Sequence, residues 1–145
     1  MIHNGKLLLA SCLIVNERKE LLLLYRPEHA HWETPGGRVE ETDCEDASSP
    51  TIDDFARAAV REGKEELGDV AFSSPKLFAK VPFKIPSGKE AVAYKFLMRL
   101  ERGTPAIQEP ERFSKLEYLQ IARLQEYPLA PDFAHFLNAL QEKYK

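Results

Sequence analysis

The chain predicts an α/β fold with a mixed β-sheet held between helices. Three features predict it. Apolar runs of strand length flank one long amphipathic helical segment, a second apolar-faced helical segment closes the chain, and the order strand–strand–loop–helix–strand–strand–strand–helix suits a sheet covered on two faces. With 145 residues, 43% apolar and 30% charged, the chain has the size and composition of one globular domain, residues 1–145, with a real core.

Leu7 to Val15 is an apolar run, Asn16-Glu17-Arg18-Lys19 a polar turn, and Glu20 to Arg26 a second apolar run; together they predict a hairpin. Pro27 cuts off any helical tendency in Leu21–Leu24. Arg26 to His31 reads as loop. Its His29 and His31 read as surface or substrate-side histidines, since no Cys or third His stands near to complete a metal set. Trp32 reads as a core aromatic or as part of a pocket wall. Trp32-Glu33-Thr34 runs strand-like into Pro35-Gly36-Gly37, a turn whose glycines take positive φ and let the backbone approach a ligand.

Thr42 to Pro50 is polar and reads as loop. The long helix begins near Thr51, with Ser49 or Thr51 as N-cap, and ends at Gly68; Phe55, Ala59, Gly63 and Leu67 form its buried stripe. Val70 to Phe83 has strand character made edge-like by Pro75 and Pro82, and Lys84 to Lys89 is a loop. Ala91 to Leu100 alternates through Val92, Tyr94, Phe96 and Met98 as a strand. Leu116 to Leu119 is a short strand, Ile121 opens a helical turn, and Asp132 caps a last helix reaching Tyr144.

The chemistry gathers on the long helix. Residues three and four apart share a helix face, so Glu62, Glu65 and Glu66 project three carboxylates to one side. Like charges that close repel, and Arg61, four before Glu65, offsets only part of them. An all-oxygen cluster of this kind suits a hard divalent cation, although charge runs on helices are ordinarily solvated faces. The glycine loop tips the balance. Gly37, Arg61-Glu62, Glu65-Glu66 and Gly68 together resemble the Nudix hydrolase box, G-x5-E-x7-R-E-U-x-E-E-x-G-U, with U a bulky apolar residue.

Three departures accompany the match. The gap from Gly37 to Arg61 is ten residues longer than in the motif, and the extra residues fall in 42–50, a loop insertion within the box. The isolated motif Glu is thereby displaced: counting from Gly37 puts Asp43 in its place, counting back from Arg61 puts Asp53, and Asp53 is favoured because it sits at the helix start. Gly63 and Asp69 occupy the apolar positions; Gly63 allows close packing on a sheet, and Val70 supplies the apolar group Asp69 lacks.

The resemblance implies the Nudix α/β/α sandwich over nearly the whole chain. It implies magnesium, with manganese as a substitute, held by Glu62, Glu65, Glu66 and the Gly36 carbonyl, and hydrolysis of a pyrophosphate bond in a nucleoside diphosphate linked to another group. The general base is Glu66, Glu62 or Glu117; Glu117-Tyr118 matches a distal carboxylate of MutT-like members, with Glu109 and Glu111 as competitors. Arg61 orients Glu62 or Glu65. Arg38, Gly37 and Trp32 are substrate-side candidates, and Lys84 or Lys89 further phosphate contacts. A MutT-like (d)NTP is the favoured substrate, ahead of ADP-ribose or a nucleotide sugar. A non-catalytic nucleotide-binding module of the same fold has no need of three repelling carboxylates, and isopentenyl diphosphate isomerase needs a cysteine that neither Cys12 nor Cys44 is placed to supply.

The remaining composition narrows the partners. Lys and Arg number 20 against 23 Asp and Glu, a net charge of -3, so there is no basic footprint for duplex nucleic acid. No apolar run is long enough to span a bilayer, and two unpaired cysteines without a leader segment suit a reducing cytoplasm. A small-molecule nucleotide is the expected partner, for a monomer or a homodimer.

Overall fold

The computed structural model describes all residues from Met1 to Lys145. Its elements are β1 (Ile2–His3), β2 (Lys6–Ile14), β3 (Glu20–Arg26), β4 (His31–Glu33), β5 (Gly36–Arg38), α1 (Ile52–Leu67), β6 (Ala71–Phe72), β7 (Lys76–Lys84), β8 (Glu90–Met98), β9 (Leu100–Arg102), β10 (Lys115–Gln120) and α2 (Leu137–Lys143). Short 3-10 turns lie at Glu41–Asp43, Ile121–Glu126 and Pro131–His135.

The main sheet runs β1-β2-β8-β7, with β5 also paired to β2. It is mixed: β2 and β8 are parallel, with Leu7 opposite Ala91 through Ile14 opposite Met98, and the other pairs are antiparallel. Parallel neighbours so far apart in sequence need a crossover, and α1 lies within it. β7 is an edge strand, which is where Pro82 is tolerated.

The predicted hairpin of the first two apolar runs does not form. β2 is flanked by β8, β1 and β5, whereas β3 joins a second sheet, β10-β3-β4; only a bridge between Val15 and Leu21 links the two runs. Both strands find longer partners elsewhere, and Leu21–Leu24 are buried between the layers.

Period-two alternation divides the core. Leu8, Ala10, Cys12 and Ile14 of β2, with Val92, Tyr94, Phe96 and Met98 of β8, face α1; Leu13, Val15 and Ala93 face the C-terminal segment. Phe55 of α1 stacks on Tyr94 at 4.2 Å between ring centroids, a contact that adds about 1 kcal/mol to simple burial. Thr51 caps α1: its side chain accepts from the Asp54 N–H while Asp54 accepts from the Thr51 N–H. Gly68 ends it with φ of +96°. Gly63 packs on β2 and β6, where a Cβ would stand 3.1 Å from Cys12 Sγ and from the Phe72 ring. Val70 is 1% exposed and fills the place Asp69 leaves.

The last helix differs from its expectation. A 3-10 turn over Pro131–His135 is separated from α2 by Phe136, with φ of −138°. The i, i+3 repeat of the tighter turn puts Phe133 and Phe136 on one buried face, with rings 4.8 Å apart. Asp132 caps nothing; its carboxylate pairs with Lys95 instead.

Candidate active site

Pro35-Gly36-Gly37 is not the turn expected. Gly36 and Gly37 form β5, opposite Ser11 and Ala10 of β2, and neither has positive φ. Their glycine identity serves close approach. A Cβ on Gly36 would overlap Ser11 and the Ala10 carbonyl, and one on Gly37 would meet the Glu62 carboxylate at 2.5 Å. The strand thus lies directly against the acidic face of α1.

The three glutamates hold different positions. Glu66 is 2% exposed and accepts the Gly36 N–H at 2.7 Å. Burial pushes its carboxyl up to about 8, the Gly36 N–H and Arg112 opposing, and Glu62 and Glu109 adding like-charge repulsion. Glu62 is half-buried and is also raised, again by burial first, with Arg61 holding it down. Glu65 is exposed.

Arg61 is partly buried, its side chain 24% exposed. Nε and Nη2 grip Asp43 bidentately at 2.9 Å each, Nη1 donates to Glu62 and Glu65 at 3.0 Å, and Nη2 donates to the Arg38 carbonyl at 3.0 Å. All five guanidinium donors are therefore engaged. Arg61 fastens α1 to β5 and to the start of the insertion, a positioning role.

Asp43 therefore takes the place for which Asp53 was favoured. Asp53 is exposed, whereas Asp43 is buried within the 3-10 turn and also accepts the Glu40 N–H. Burial alone would raise its carboxyl; Arg61 and the backbone bond overcome that and hold it low. The ten extra residues lie after Asp43, so counting forward from Gly37 keeps register and counting back from Arg61 loses it.

Glu117 stands apart. It pairs in register with Leu23 on β10, its neighbours Leu116 and Tyr118 pack toward the α1 core, and strand alternation turns Glu117 the other way, exposed. Glu109 lies near enough to Glu66 to raise its carboxyl by like-charge repulsion. The segment after β9 brings it there: Ala106 N–H donates to Leu67 O, Gln108 N–H to Glu66 O, and Glu109 pairs with Arg112 at 2.5 Å.

Trp32 is core and is not among the residues lining the cavity beside Gly36 and Gly37. It is 5% exposed, edge-on to Tyr25 at 5.2 Å and to Tyr127 at 6.4 Å. Arg38 is exposed, and only its carbonyl is engaged. Gly36 and Gly37 border a cavity of about 680 Å³ on the face of the main sheet opposite α1, together with His29, His31 and Lys84.

Sequence reading missed three residues in that cavity. Lys95 Nζ, on β8, donates to Asp132 Oδ2 at 2.5 Å and to Thr34 Oγ1 at 3.1 Å, with its side chain 3% exposed. The signal was available: a lysine inside the apolar run Ala91–Met98, at an inward position. Its partners were not foreseeable, because Asp132 reaches it only where the chain at Trp32 exchanges backbone hydrogen bonds with Pro128 and Ala130.

Three helix carboxylates and the β5 carbonyls make an all-oxygen donor set, the kind a hard divalent cation takes. No three His, Cys, Asp or Glu side chains converge into a ready cage, because Arg61 holds Glu62 and Glu65 while Gly36 holds Glu66. The buried, one-bonded Glu66 fits a cation, which would replace the proton that burial favours.

Comparison with known proteins accords with this geometry. The chain matches the NUDIX domain family over residues 6–140. It is 26% identical to the uncharacterized Nudix hydrolase YvcI of Bacillus subtilis over 91% of this chain and 77% of that protein. Among solved structures it resembles a MutT NUDIX hydrolase from Burkholderia pseudomallei, with a TM-score of 0.72, 26% identity, and coverage of 92% and 96% of the two chains. It shares the fold of the NUDIX domain of Shewanella oneidensis NrtR, solved with ADP ribose, with a TM-score of 0.70, 18% identity, and coverage of 98% and 90%. The chain belongs to the NUDIX family and is a Nudix hydrolase.

Proposed function

We propose that residues 1–145 act as one domain that hydrolyses, with magnesium or manganese, a pyrophosphate bond in a nucleoside diphosphate linked to another group, a (d)NTP before other classes. The observation that carries this is the placement of β5: one side of Gly36-Gly37 meets Glu66 and Glu62, the other borders a cavity of nucleoside size.

Glu62, Glu65, Glu66 and the Gly36 carbonyl would hold the cation, which when bound would supply charge neutralisation for a pyrophosphate and activation of water. The chain's own residues arrange the rest. The Gly36 N–H keeps Glu66 at the sheet edge, Arg61 keeps Glu62 and Glu65 on the same side, and Gly37 gives the Glu62 carboxylate room. A proton leaving the attacking water goes to Glu66 or Glu62, with Glu109 beside Glu66 as the distal carboxylate. Lys84 at the cavity rim and exposed Arg38 are the phosphate contacts.

ADP-ribose is the second substrate class, supported by the shared fold of the NrtR domain. The test is phosphate or product release from nucleoside triphosphates, ADP-ribose and nucleotide sugars, with magnesium, with a chelator, and with Glu66→Gln. Loss of a bound-cation carboxylate is expected to lower kcat/KM on the order of 10³-fold. Turnover that persists in chelator, or in Glu66→Gln at the wild-type rate, defeats the proposal.

A further inference from the structure

The acidic face of α1 meets one arginine that the hydrolytic chemistry leaves without a part. The turn after β9 carries it. The Arg112 and Phe113 N–H groups both donate to the Glu109 carbonyl at 3.0 Å, and the Gln108 N–H donates to the Glu66 carbonyl at 3.3 Å. Arg112 Nη1 donates to Glu109 Oε2 at 2.5 Å, and its guanidinium lies over the Phe113 ring, 5.0 Å from the centroid. Phe113 is 2% exposed, so the ring is a fixed platform. The Arg112 charge acts on Glu66 and Glu33 as well as on Glu109. The neighbouring guanidinium groups are spent: Arg61 has all five donors engaged, and Arg26 gives Nε and Nη2 to Glu33. Arg112 has one of its five donors engaged and a side chain 43% exposed. An ion pair this open is weakly held, because water screens it and two side chains must be kept in one geometry. A planar fork with free donors is the group that takes a phosphate at two oxygens.

We infer that Arg112 is an exchangeable counter-ion of the acidic face: it pairs with Glu109 while no cation is bound, and binds the pyrophosphate oxygens of the substrate when one is. This rests on the hydrolase reading above. Arg112 and a divalent cation carry the same sign and compete for the same carboxylates, so the pair with Glu109 weakens when the cation is present. Arg112 then gives up a carboxylate and takes a phosphate, one charge-assisted pair in place of another. Its stack on Phe113 keeps the guanidinium beside Glu66 through the exchange. Arg112 therefore opposes the first ligand and favours the second. A residue that only staples the turn to α1 has no such split, because losing a staple weakens both ligands together.

The experiment reads the two ligands separately, on the whole chain. Calorimetry measures the binding of magnesium alone, then of methylenediphosphonate, a pyrophosphate analogue with an unhydrolysable carbon bridge, at fixed free magnesium. Arg112→Gln removes the charge and keeps a polar side chain. It is expected to bind magnesium about 3- to 10-fold more tightly and the diphosphonate roughly 10- to 100-fold more weakly. Arg112→Lys keeps the charge and loses the fork. It is expected to bind magnesium within about twofold of wild type and the diphosphonate with intermediate affinity. Melting curves identify a variant that does not fold. Where Arg112→Gln does not, Arg112→Lys decides, and wild-type affinity for the diphosphonate overturns the inference. Magnesium binding unchanged or weaker in folded Arg112→Gln also overturns it, as does diphosphonate bound as tightly as by wild type. Hydrolysis by wild type alongside either result leaves the hydrolase reading standing. Opposite shifts without hydrolysis of any nucleotide sustain the exchange and remove that reading instead.

Discussion

The two faces of the main sheet use charge in opposite ways. On the α1 face, acids outnumber bases: Glu62, Glu65, Glu66, Asp43 and Glu109 surround Arg61 and Arg112, and Glu66 is buried without a cationic side chain hydrogen-bonded to it. On the α2 face, Lys95 and Asp132 are matched one to one and shielded by Phe136, whose ring centroid lies 5.3 Å from Nζ. The first face gathers like charges around the buried Glu66; on the second the two charges are paired, while Ser11 Oγ is left without a hydrogen-bond partner. Under the proposed function the first face takes a cation and is expected to be strained in its absence, whereas the paired charges of the second are organised without one.

The largest test of this contrast is pH. The Glu66 carboxyl is raised from an ordinary carboxylate value to about 8, so the folded protein binds a proton that the unfolded chain has released. Its contribution to stability is fully present below the unfolded pKa and is lost as pH rises through the folded one. Melting in chelator is expected to fall from pH 5 to pH 8, by up to about 4 kcal/mol, and magnesium to restore part of it at the alkaline end. Glu66→Gln, neutral at every pH, should flatten the slope, with a remainder from Glu62, which burial raises in the same direction. Identical slopes for wild type and variant would remove the strain argument.

On the matched face, Lys95→Met leaves Asp132 without its cation. Breaking a fully buried pair costs roughly 3–5 kcal/mol; Asp132 keeps a fifth of its side chain in solvent, so about 2 kcal/mol is expected, near 6 °C in Tm. A Tm within 1 °C of wild type would show that the pair contributes nothing to the fold.

The smallest effect compares two aspartates. Asp43→Asn weakens the bidentate grip on Arg61 and should cost about 1 kcal/mol, with a several-fold fall in kcat as Glu62 and Glu65 lose their shared anchor. Asp53→Asn, at an exposed helix start, should change stability by less than about 0.5 kcal/mol and activity not at all. Equal effects at the two positions would return the question of the displaced motif acid to open.

What could be read in advance follows the range of the forces involved. Helix α1 was legible from its cap at Thr51 to Gly68, because capping, apolar stripe and carboxylate spacing all act within a few residues. Strand extents were legible too, since β3 over Glu20–Arg26 coincides with its apolar run. Strand partners were not: whether β2 pairs with β3 or β8 depends on which edges remain free after the whole sheet forms. Asp43 could not be chosen over Asp53 by counting, because an insertion defeats counting from one of its sides. Glu117 is exposed on β10, and a loop hydrogen-bonded to the end of α1 brings Glu109 near Glu66, a placement set by long-range packing that spacing in the sequence does not show.

By itself the sequence determined the fold class, the acidic helix and, through Gly37 and the Arg61–Glu66 segment, the family, because those depend on local spacing and on side-chain chemistry within single elements. The tertiary structure decided which acid anchors Arg61, that Gly36 and Gly37 serve as a close-packed strand, and that a lysine on β8 meets an aspartate 37 residues away to floor a cavity. Such pairs are assembled from separate segments by burial of the core, a force that selects total packing and leaves no periodic mark at the positions it brings together.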